Sequence, residues 1–270
     1  MSPNAQKEER ENRINGECIS MSGIYPVWVE QLNDAMESGG CTRLADPAPW
    51  GGGVALALAP HPDDPDAIAV TLKLLADSGW TVHWAIVTSG WSGVLDEYCG
   101  PDPVAKGQAR MREQCESARL FGLDPHRLYF LHTGEDDDGE LAPTWVNSRA
   151  VISLLEGLSP DLALLPHRHD TNATHRLVYE WFAEWAQGWP RPVLALGNED
   201  PKSQDFEPNA QVLFDEEQAR WKASLLECHR TQSARNQKTR GITFAERILS
   251  VNRRPDGTYA ERFHAECWRI

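Results

Sequence analysis

Short apolar runs alternate with amphipathic helical patterns along residues 54–196, and this alternation restricts the fold more than any other feature of the sequence. The first run, VALALA, is uniformly apolar, as expected of a strand that is covered on both faces. Strands separated by helices form parallel sheets, because each connection must cross back over the sheet. The sequence therefore predicts an α/β, Rossmann-like three-layer fold with a mainly parallel sheet. Its predicted strands span residues 54–59, 82–88, 127–131, 161–165 and 193–196.

Each connection between these strands carries an apolar stripe at helical spacing. Residues three and four positions apart lie on one face of a helix, so each stripe predicts a helix that packs on the sheet. The first stripe stops before Gly79 and the second before Gly122, as is typical of helix C-termini. The stripes consist of Ile68, Leu72 and Leu75; Met111, Cys115 and Ala118; Val151, Leu154, Leu155 and Leu158; and Val178, Trp181, Phe182 and Trp185.

The N-terminal segment differs in composition from the rest of the chain. Residues 1 to about 25 are polar and lack periodicity, which indicates a solvated arm, and a short helix is predicted over residues 27–36. We expect residues 1–40 to form this arm and helix, and residues 41–270 to form a single domain. No signal-peptide core and no run of about 18 apolar residues occurs, so we expect a cytoplasmic protein without a membrane span.

The charge and cysteine content restrict the partners of the protein. The 26 Lys and Arg residues and 40 Asp and Glu residues give a formal net charge of −14. Binding to DNA or RNA depends on clustered cations, so nucleic acid is not an expected partner. The six cysteines contain no CxxC pair, which excludes zinc-ribbon and thioredoxin-type motifs. We expect a small-molecule substrate, and the sequence leaves open whether the chain forms a homo-oligomer.

Polar loops follow four of the predicted strands. Ligands of open parallel sheets bind at the carboxyl ends of the strands, so these loops should share one rim. The loop after the first strand reads PHPDD at residues 60–64, and the loop after the fourth reads HRHDTNATH at residues 167–175. Imidazole and carboxylate are ligands of catalytic zinc, and a further carboxylate can take a proton from water. The two loops therefore predict a zinc site at this rim.

A polar turn is the alternative interpretation of the first loop. In that case Asp63 or Asp64 caps the following helix by accepting hydrogen bonds from its first N–H groups. A second loop that combines His and Asp on the same rim favours the metal site.

At these loops the sequence resembles the zinc-dependent de-N-acetylases related to phosphatidylinositol-glycan class L (PIG-L) and LmbE-like proteins. The family pattern is a strand followed by A-H-P-D-D-E and, much later, D-x-H-P-D-H. This chain reads P-H-P-D-D-P at residues 60–65 and D-T-N-A-T-H at residues 170–175. Weaker similarity to other family segments covers residues 110–122, 130–139 and 222–232.

The resemblance implies a cofactor, a set of site residues and a class of substrate. Zn²⁺ is the implied cofactor, with His61, Asp64 and His175 as its ligands. Asp63 is implied as the general base that activates water. The implied reaction is hydrolysis of the amide of an N-acylated amino sugar or sugar conjugate.

The second loop departs from the family pattern. Asn172 stands where the family carries a His that assists the oxyanion or the leaving group, and Thr174 stands where an adjacent Asp tunes that His. We therefore expect Asn172 to be a catalytic residue and the leaving amine to take its proton from Asp63 or from a neighbouring His such as His167. His169 and His229 are further candidates. For each His the alternative is a structural role, as a backbone-bonded strand-end His or a surface helix His.

The first helix also differs from the family pattern, and three further residues are predicted to contact the substrate. Pro65 replaces the family's Glu, and Asp66 either takes over its supporting role or interacts with the helix dipole. Trp91, Arg110 and Asp138 are predicted to contact the substrate, Trp91 by stacking on a sugar ring.

Two alternative functions remain beside the de-N-acetylase. The first is a non-catalytic metal-binding or ligand-binding member of the same fold that lost turnover with its acid His. The second is a metal-dependent phosphoesterase, which would need a second metal about 3.5–4 Å from the first. The sequence offers no second carboxylate-rich ligand set for such a metal.

Overall fold

The computed structural model describes residues 41–44 and 52–268, which form an α/β fold of three layers around an eight-stranded sheet. The arm and short helix predicted for residues 1–40 lie outside the described residues, and the predicted domain boundary stays a prediction. The strands are β1 (Thr42–Arg43), β2 (Val54–Ala59), β3 (Thr81–Ile86), β4 (Leu128–Phe130), β5 (Leu162–Pro166), β6 (Val193–Asn198), β7 (Ala210–Phe214) and β8 (Tyr259–Trp268).

Helices connect the strands at the predicted places. The α-helices are α1 (Asp64–Ala67), α2 (Ala69–Asp77), α3 (Asp96–Cys99), α4 (Pro103–Phe121), α5 (Trp145–Leu158), α6 (Ala173–Gly188), α7 (Glu216–Leu226), α8 (Arg230–Arg240) and α9 (Phe244–Asn252). Short 3₁₀ turns span Trp91–Gly93 and Pro125–Arg127. Among the described residues, no helix is both long enough and apolar enough to span a membrane.

The sheet is mainly parallel, as predicted, with an antiparallel portion that was not predicted. Its strand order is β1, β7, β8, β6, β5, β2, β3, β4, and β8 runs antiparallel to both of its neighbours. Buried and partly exposed residues alternate along β7, so this strand contains no continuous apolar run. For that reason no apolar run in the sequence predicts β7.

The order of the parallel strands determines where a binding site can form. Strands β4, β3 and β2 follow one direction across the sheet, and β5 and β6 extend from β2 in the other. The order therefore reverses between β2 and β5. In open α/β sheets ligands bind in the crevice outside the carboxyl ends of the strands at such a reversal. The loops that follow β2 and β5 are the two loops predicted to bind metal.

The core lies on both faces of the sheet. Ala55 and Ala57 of β2 face a layer that includes α2, α4 and α7, whereas Leu56 and Leu58 face a layer of α5 and α6. This alternation is the period of two that an extended strand imposes on its side chains. All four side chains are buried, in agreement with a strand that is covered on both faces.

The first predicted helix is split into two parts by contacts from the C-terminal part of the chain. Glu261 of β8 accepts hydrogen bonds from the backbone N–H groups of Val70 (3.0 Å) and Thr71 (2.7 Å), at the start of α2. Lys222 of α7 donates to the carbonyl of Ala67, at the end of α1, and to Glu261 at 2.6 Å. Both charged side chains are fully buried. Their ion pair therefore connects β8 and α7 to the break between α1 and α2.

We expect Glu261→Gln to lower the free energy of unfolding by about 3–5 kcal/mol, because it leaves the buried Lys222 cation without a counter-charge. Glu156→Gln is the matched control, since Glu156 forms an exposed pair with Arg149 that should contribute less than about 1 kcal/mol. Urea unfolding followed by circular dichroism measures both. A loss below about 1 kcal/mol for Glu261→Gln would show that the buried pair does not support the fold.

Candidate active site

A cleft of about 880 Å³, open to solvent, lies at the carboxyl ends of the parallel strands. Its walls come from the loops that follow β2 to β6 and from helices α8 and α9.

Three potential metal ligands face one another in this cleft. The distance from His61 Nδ1 to His175 Nε2 is 3.2 Å, and Asp64 Oδ2 lies 3.5 Å from the first atom and 3.7 Å from the second. In a tetrahedral zinc site with bonds of about 2.0–2.2 Å, neighbouring ligand atoms are about 3.3–3.6 Å apart. The three side chains thus form a group that fits a zinc ion.

The charge states of this group follow from its surroundings. Burial lowers the pKa of His61 to about 4, so its imidazole is neutral at pH 7. Burial acts to lower the pKa of His175 as well, but Asp64 and a 2.9 Å contact from Nδ1 to Asp170 raise it to about 9. A carboxylate behind a ligating His fixes the orientation of its ring. Asp170 therefore directs Nε2 of His175 toward His61 and Asp64.

Neither carboxylate of the first loop caps the helix, contrary to the alternative interpretation. Asp63 occupies the N-cap position of α1 without a side-chain capping bond, and its φ of 105° lies in the left-handed region. Asp64 Oδ2 instead accepts a 2.8 Å hydrogen bond from the backbone N–H of His61. A non-glycine residue in this region costs about 1–3 kcal/mol and is typical of functional sites.

Asp63 is buried and paired with Arg110. Arg110 Nη2 lies 2.5 Å from Asp63 Oδ1, and the backbone N–H of Asp63 donates to Gln114 at 2.9 Å. Burial raises the pKa of Asp63 to about 6, against the opposing effect of the Arg110 charge. A carboxyl with a pKa near neutrality is suited to proton transfer at pH 7.

The structure shows Arg110 bound mainly to the protein itself. Its guanidinium donates to the carbonyl of Gly90 at 2.8 Å, to the carbonyl of Pro62 and to Asp63. The side chain is only 3 % exposed although it lines the cleft. The predicted contact of Arg110 with substrate stays a prediction, and its observed contacts are those of a residue that positions Asp63.

Asp66 supports the same loop from behind. It is fully buried and accepts hydrogen bonds from Gln114 (3.1 Å), Ser117 (2.5 Å) and His229 (2.6 Å). Asp66 therefore has the supporting role considered for it, as a junction between α1, α4 and the start of α8. His229 is fully buried in this network and does not line the cleft.

The second loop holds Asn172 and Thr174 in structural contacts. Asn172 caps α6 by accepting from the backbone N–H of His175 at 3.2 Å, and it also lines the cleft. The Thr174 hydroxyl donates to Glu140 Oε2 at 2.6 Å. The loop after β4 thus supplies a carboxylate beside the position where the family carries Asp.

His167 lies apart from the ligand group. Its ring packs against His169, Phe206 and His264, with ring centroids 5.1–5.5 Å apart, and it does not line the cleft. Burial lowers its pKa to about 4. The structure therefore does not bring His167 to the position expected of a catalytic acid.

Trp91 and Asp138 lie beside the cleft rather than in its lining. Trp91 is half-buried, with Lys106 Nζ 5.9 Å from its ring centroid, and Asp138 is exposed. Their predicted contacts with substrate stay predictions.

Six charged residues of the cleft were missed by the sequence analysis. Three of them follow parallel strands, so the rim rule applied to β6 and to the end of the loop after β4 would have found them. The arginines come from helices α8 and α9, for which no strand-end pattern exists. The six are Glu140, Asp200, Lys202, Arg235, Arg240 and Arg247.

The central part of the chain is similar to a known protein family. Residues 56–186 match the model of the family described as PIG-L, GlcNAc-PI de-N-acetylase. This segment contains both loops of the ligand group. None of the curated proteins compared with the chain matches it.

Solved structures share the fold at low sequence identity. N,N'-diacetylchitobiose deacetylase from Pyrococcus horikoshii has a TM-score of 0.63 and 21% identity, over 79% of this chain and 84% of that chain. The zinc-inhibited form of a teicoplanin deacetylase has a TM-score of 0.59 and 13% identity, over 79% and 98%. The 4-carboxy-2-hydroxymuconate hydratase from Pseudomonas putida has a TM-score of 0.57 and 17% identity, over 79% and 95%. These similarities establish the fold, which deacetylases and a hydratase share.

We expect Gly90→Ala to displace Arg110, because a Cβ at Gly90 would lie 2.1 Å from Arg110 Nη1 and the residue has a φ of 59°. The free energy of unfolding should fall by about 1–3 kcal/mol. Gly157→Ala is the control, since a Cβ there meets no atom within 4 Å and alanine favours a helix interior by up to about 1 kcal/mol. Equal stabilities of the two variants in urea unfolding would contradict this account of Gly90.

Proposed function

We propose that this chain, whose residues 56–186 belong to the PIG-L (LmbE-like) de-N-acetylase family, is a zinc-dependent amide hydrolase that deacetylates an amino sugar or sugar conjugate. The observation that carries the proposal is the group of three ligand atoms spaced 3.2–3.7 Å apart, with Asp63 in the lining of the same cleft. The similarity to deacetylases of N,N'-diacetylchitobiose and of teicoplanin supports the class of substrate.

His61, Asp64 and His175 would hold the metal, and Asp170 would keep the His175 ring in place. A zinc ion bound there would supply Lewis acidity, which lowers the pKa of a water molecule to about 7 and polarises the amide carbonyl. The two histidines and one carboxylate form a set of three protein ligands, which is typical of catalytic rather than structural zinc.

Asp63 would carry the proton in both halves of the reaction. It accepts a proton from the attacking water while the water oxygen bonds to the acyl carbon. The same proton then passes to the leaving nitrogen as the C–N bond breaks, which yields a carboxylic acid and a free amine. Arg110 keeps Asp63 in place through its bond to Oδ1.

A second carboxylate is available for the leaving amine. Glu140 lines the cleft and is oriented by Thr174. Loss of the family's His at Asn172 therefore does not leave the cleft without proton-transfer groups. This observation favours a catalytic member of the family over a member that only binds metal or ligand.

We expect the wild-type chain to bind about one zinc ion and His175→Ala to bind much less, since two protein ligands do not complete the site. His126→Ala, an exposed histidine outside the cleft, is the control and should keep its zinc. Elemental analysis after dialysis measures the metal content. Full occupancy in His175→Ala would reject this ligand set.

We expect Asp63→Asn to keep its zinc and to lose about 10²–10⁴-fold in turnover, because an amide cannot accept the proton of water. The assay measures release of free amine from N-acetylated sugars at stoichiometric zinc. Asp137→Asn, an exposed aspartate outside the cleft lining, is the control.

Asp64→Asn should instead lose zinc. Should Asp63→Asn lose zinc while Asp64→Asn keeps it, the two carboxylates have exchanged roles. Should the wild type release no amine from any N-acetylated sugar, the deacetylase proposal fails. The hydratase of the same fold would then be the more relevant comparison for the activity.

A further inference from the structure

The lining of the cleft contains several cations although the chain carries a net charge of −14. Arg235 and Arg240 of α8, Arg247 of α9 and Lys202 of the loop after β6 all line the cleft. Within residues 41–44 and 52–268, none of these four side chains forms an ion pair with a carboxylate. An acidic chain thus leaves several cations unpaired at one place.

Other cations at the two ends of helix α8 are paired. Arg230 forms an ion pair with Glu116 at 2.8 Å, and Lys238 forms one with Glu97. Neither of these residues lines the cleft. The unpaired cations of α8, Arg235 and Arg240, are therefore the ones that face the cleft.

The guanidinium of Arg235 lies close to that of Arg110. A Cβ placed on Gly93 would be 3.3 Å from Nη1 of both arginines, so these two nitrogens are no farther apart than twice that distance. The charge of Arg110 is matched by Asp63, whereas Arg235 has no such partner among the described residues. Burial lowers the pKa of Arg235, as do the charges of Arg110 and Arg240. Like charges at this spacing repel, and a bound anion would relieve the repulsion.

Among the described residues, four carboxylates and five Lys or Arg side chains line the cleft, so the carboxylates offset only part of its positive charge. Asp63 pairs with Arg110, Asp64 lies between two histidines, and Glu140 accepts from Thr174. Asp200 accepts a 2.9 Å hydrogen bond from the backbone N–H of Lys202. A bound zinc ion would add further positive charge at the same place. The field of the cleft therefore favours a negatively charged ligand.

We propose that Arg235, Arg240 and Arg247 form a subsite for an anionic group of the substrate, a carboxylate or a phosphate. The planar guanidinium fork matches both groups and binds them through two parallel hydrogen bonds. The inference rests on the proposed function in one respect: the amide that is cut and the anionic group belong to one molecule. All three arginines lie outside residues 56–186, so the subsite is built by the part of the chain beyond the family match.

Three probes test the subsite on the full-length, zinc-loaded chain. N-acetylglucosamine 1-phosphate carries a phosphate, N-acetylmuramic acid carries a carboxylate, and methyl N-acetylglucosaminide is neutral. Release of amine gives kcat/KM for each probe. We expect at least one charged probe to be preferred over the neutral one by about 10- to 100-fold, the effect of a hydrogen bond to a charged group. The two charged probes distinguish phosphate from carboxylate.

Arginine variants test whether the subsite causes the preference for a charged probe. Arg235→Gln and Arg247→Gln should each remove most of this preference, so that the ratio of kcat/KM for the charged probe to kcat/KM for the neutral probe falls about 10-fold or more. Arg230→Gln is the matched control on the same helix, because its partner Glu116 lies outside the cleft. Equal kcat/KM values for charged and neutral probes in the wild type would overturn the subsite and leave the deacetylase proposal intact.

Binding measurements test the subsite independently of hydrolysis. Calorimetry with zinc-loaded Asp63→Asn measures the affinities of N-acetylglucosamine 1-phosphate and the neutral probe without turnover. Tighter binding of the phosphate probe that is weakened by Arg235→Gln, and not by Arg230→Gln, supports the subsite even if no probe is hydrolysed. Phosphate binding that is the same in both arginine variants would place the anion elsewhere, for example on the zinc, and would overturn the inference.

Discussion

The buried ion pair of Lys222 and Glu261 holds the segment on which the proposed metal site depends. These side chains bind the end of α1 at Ala67 and the start of α2 at Val70 and Thr71. Helix α1 begins at Asp64, so strand β8 and helix α7 hold the helix that directly follows the first loop. The cost of removing two charges from water offsets much of the attraction between them. The specific contribution of the pair is therefore to hold α1 and α2 in position.

In the first loop, two neighbouring carboxylates have different surroundings. Asp64 lies between His61 and His175, whereas Asp63 is paired with Arg110. The backbone of Asp63 has a left-handed conformation at the point where the two side chains separate. The hydrogen bonds of Arg110 with the carbonyls of Gly90 and Pro62 help to hold this conformation. A metal ligand and a proton acceptor can therefore be adjacent in sequence without competing for the same position.

The two parts of the cleft have different origins. Loops at the carboxyl ends of β2 and β5 supply the ligand group, because the strand order reverses between these strands. Helices α8 and α9 supply the unpaired arginines of the lining. The proposed chemistry thus belongs to the family segment, and the proposed selectivity for an anion belongs to the C-terminal helices.

The sequence by itself determined the parallel strands, the rim on which the two His and Asp loops meet, and the resemblance of these loops to a family of de-N-acetylases. Apolar runs such as VALALA and stripes such as Trp181 and Phe182 are local patterns that a period of two or 3.6 makes visible. Only the tertiary structure decided that Asp63 does not cap its helix, that His167 packs away from the cleft and that Arg110 binds the protein itself. It also brought Arg235 and Arg247 to the cleft. These outcomes depend on contacts between segments far apart in the chain, whose distances no local pattern contains.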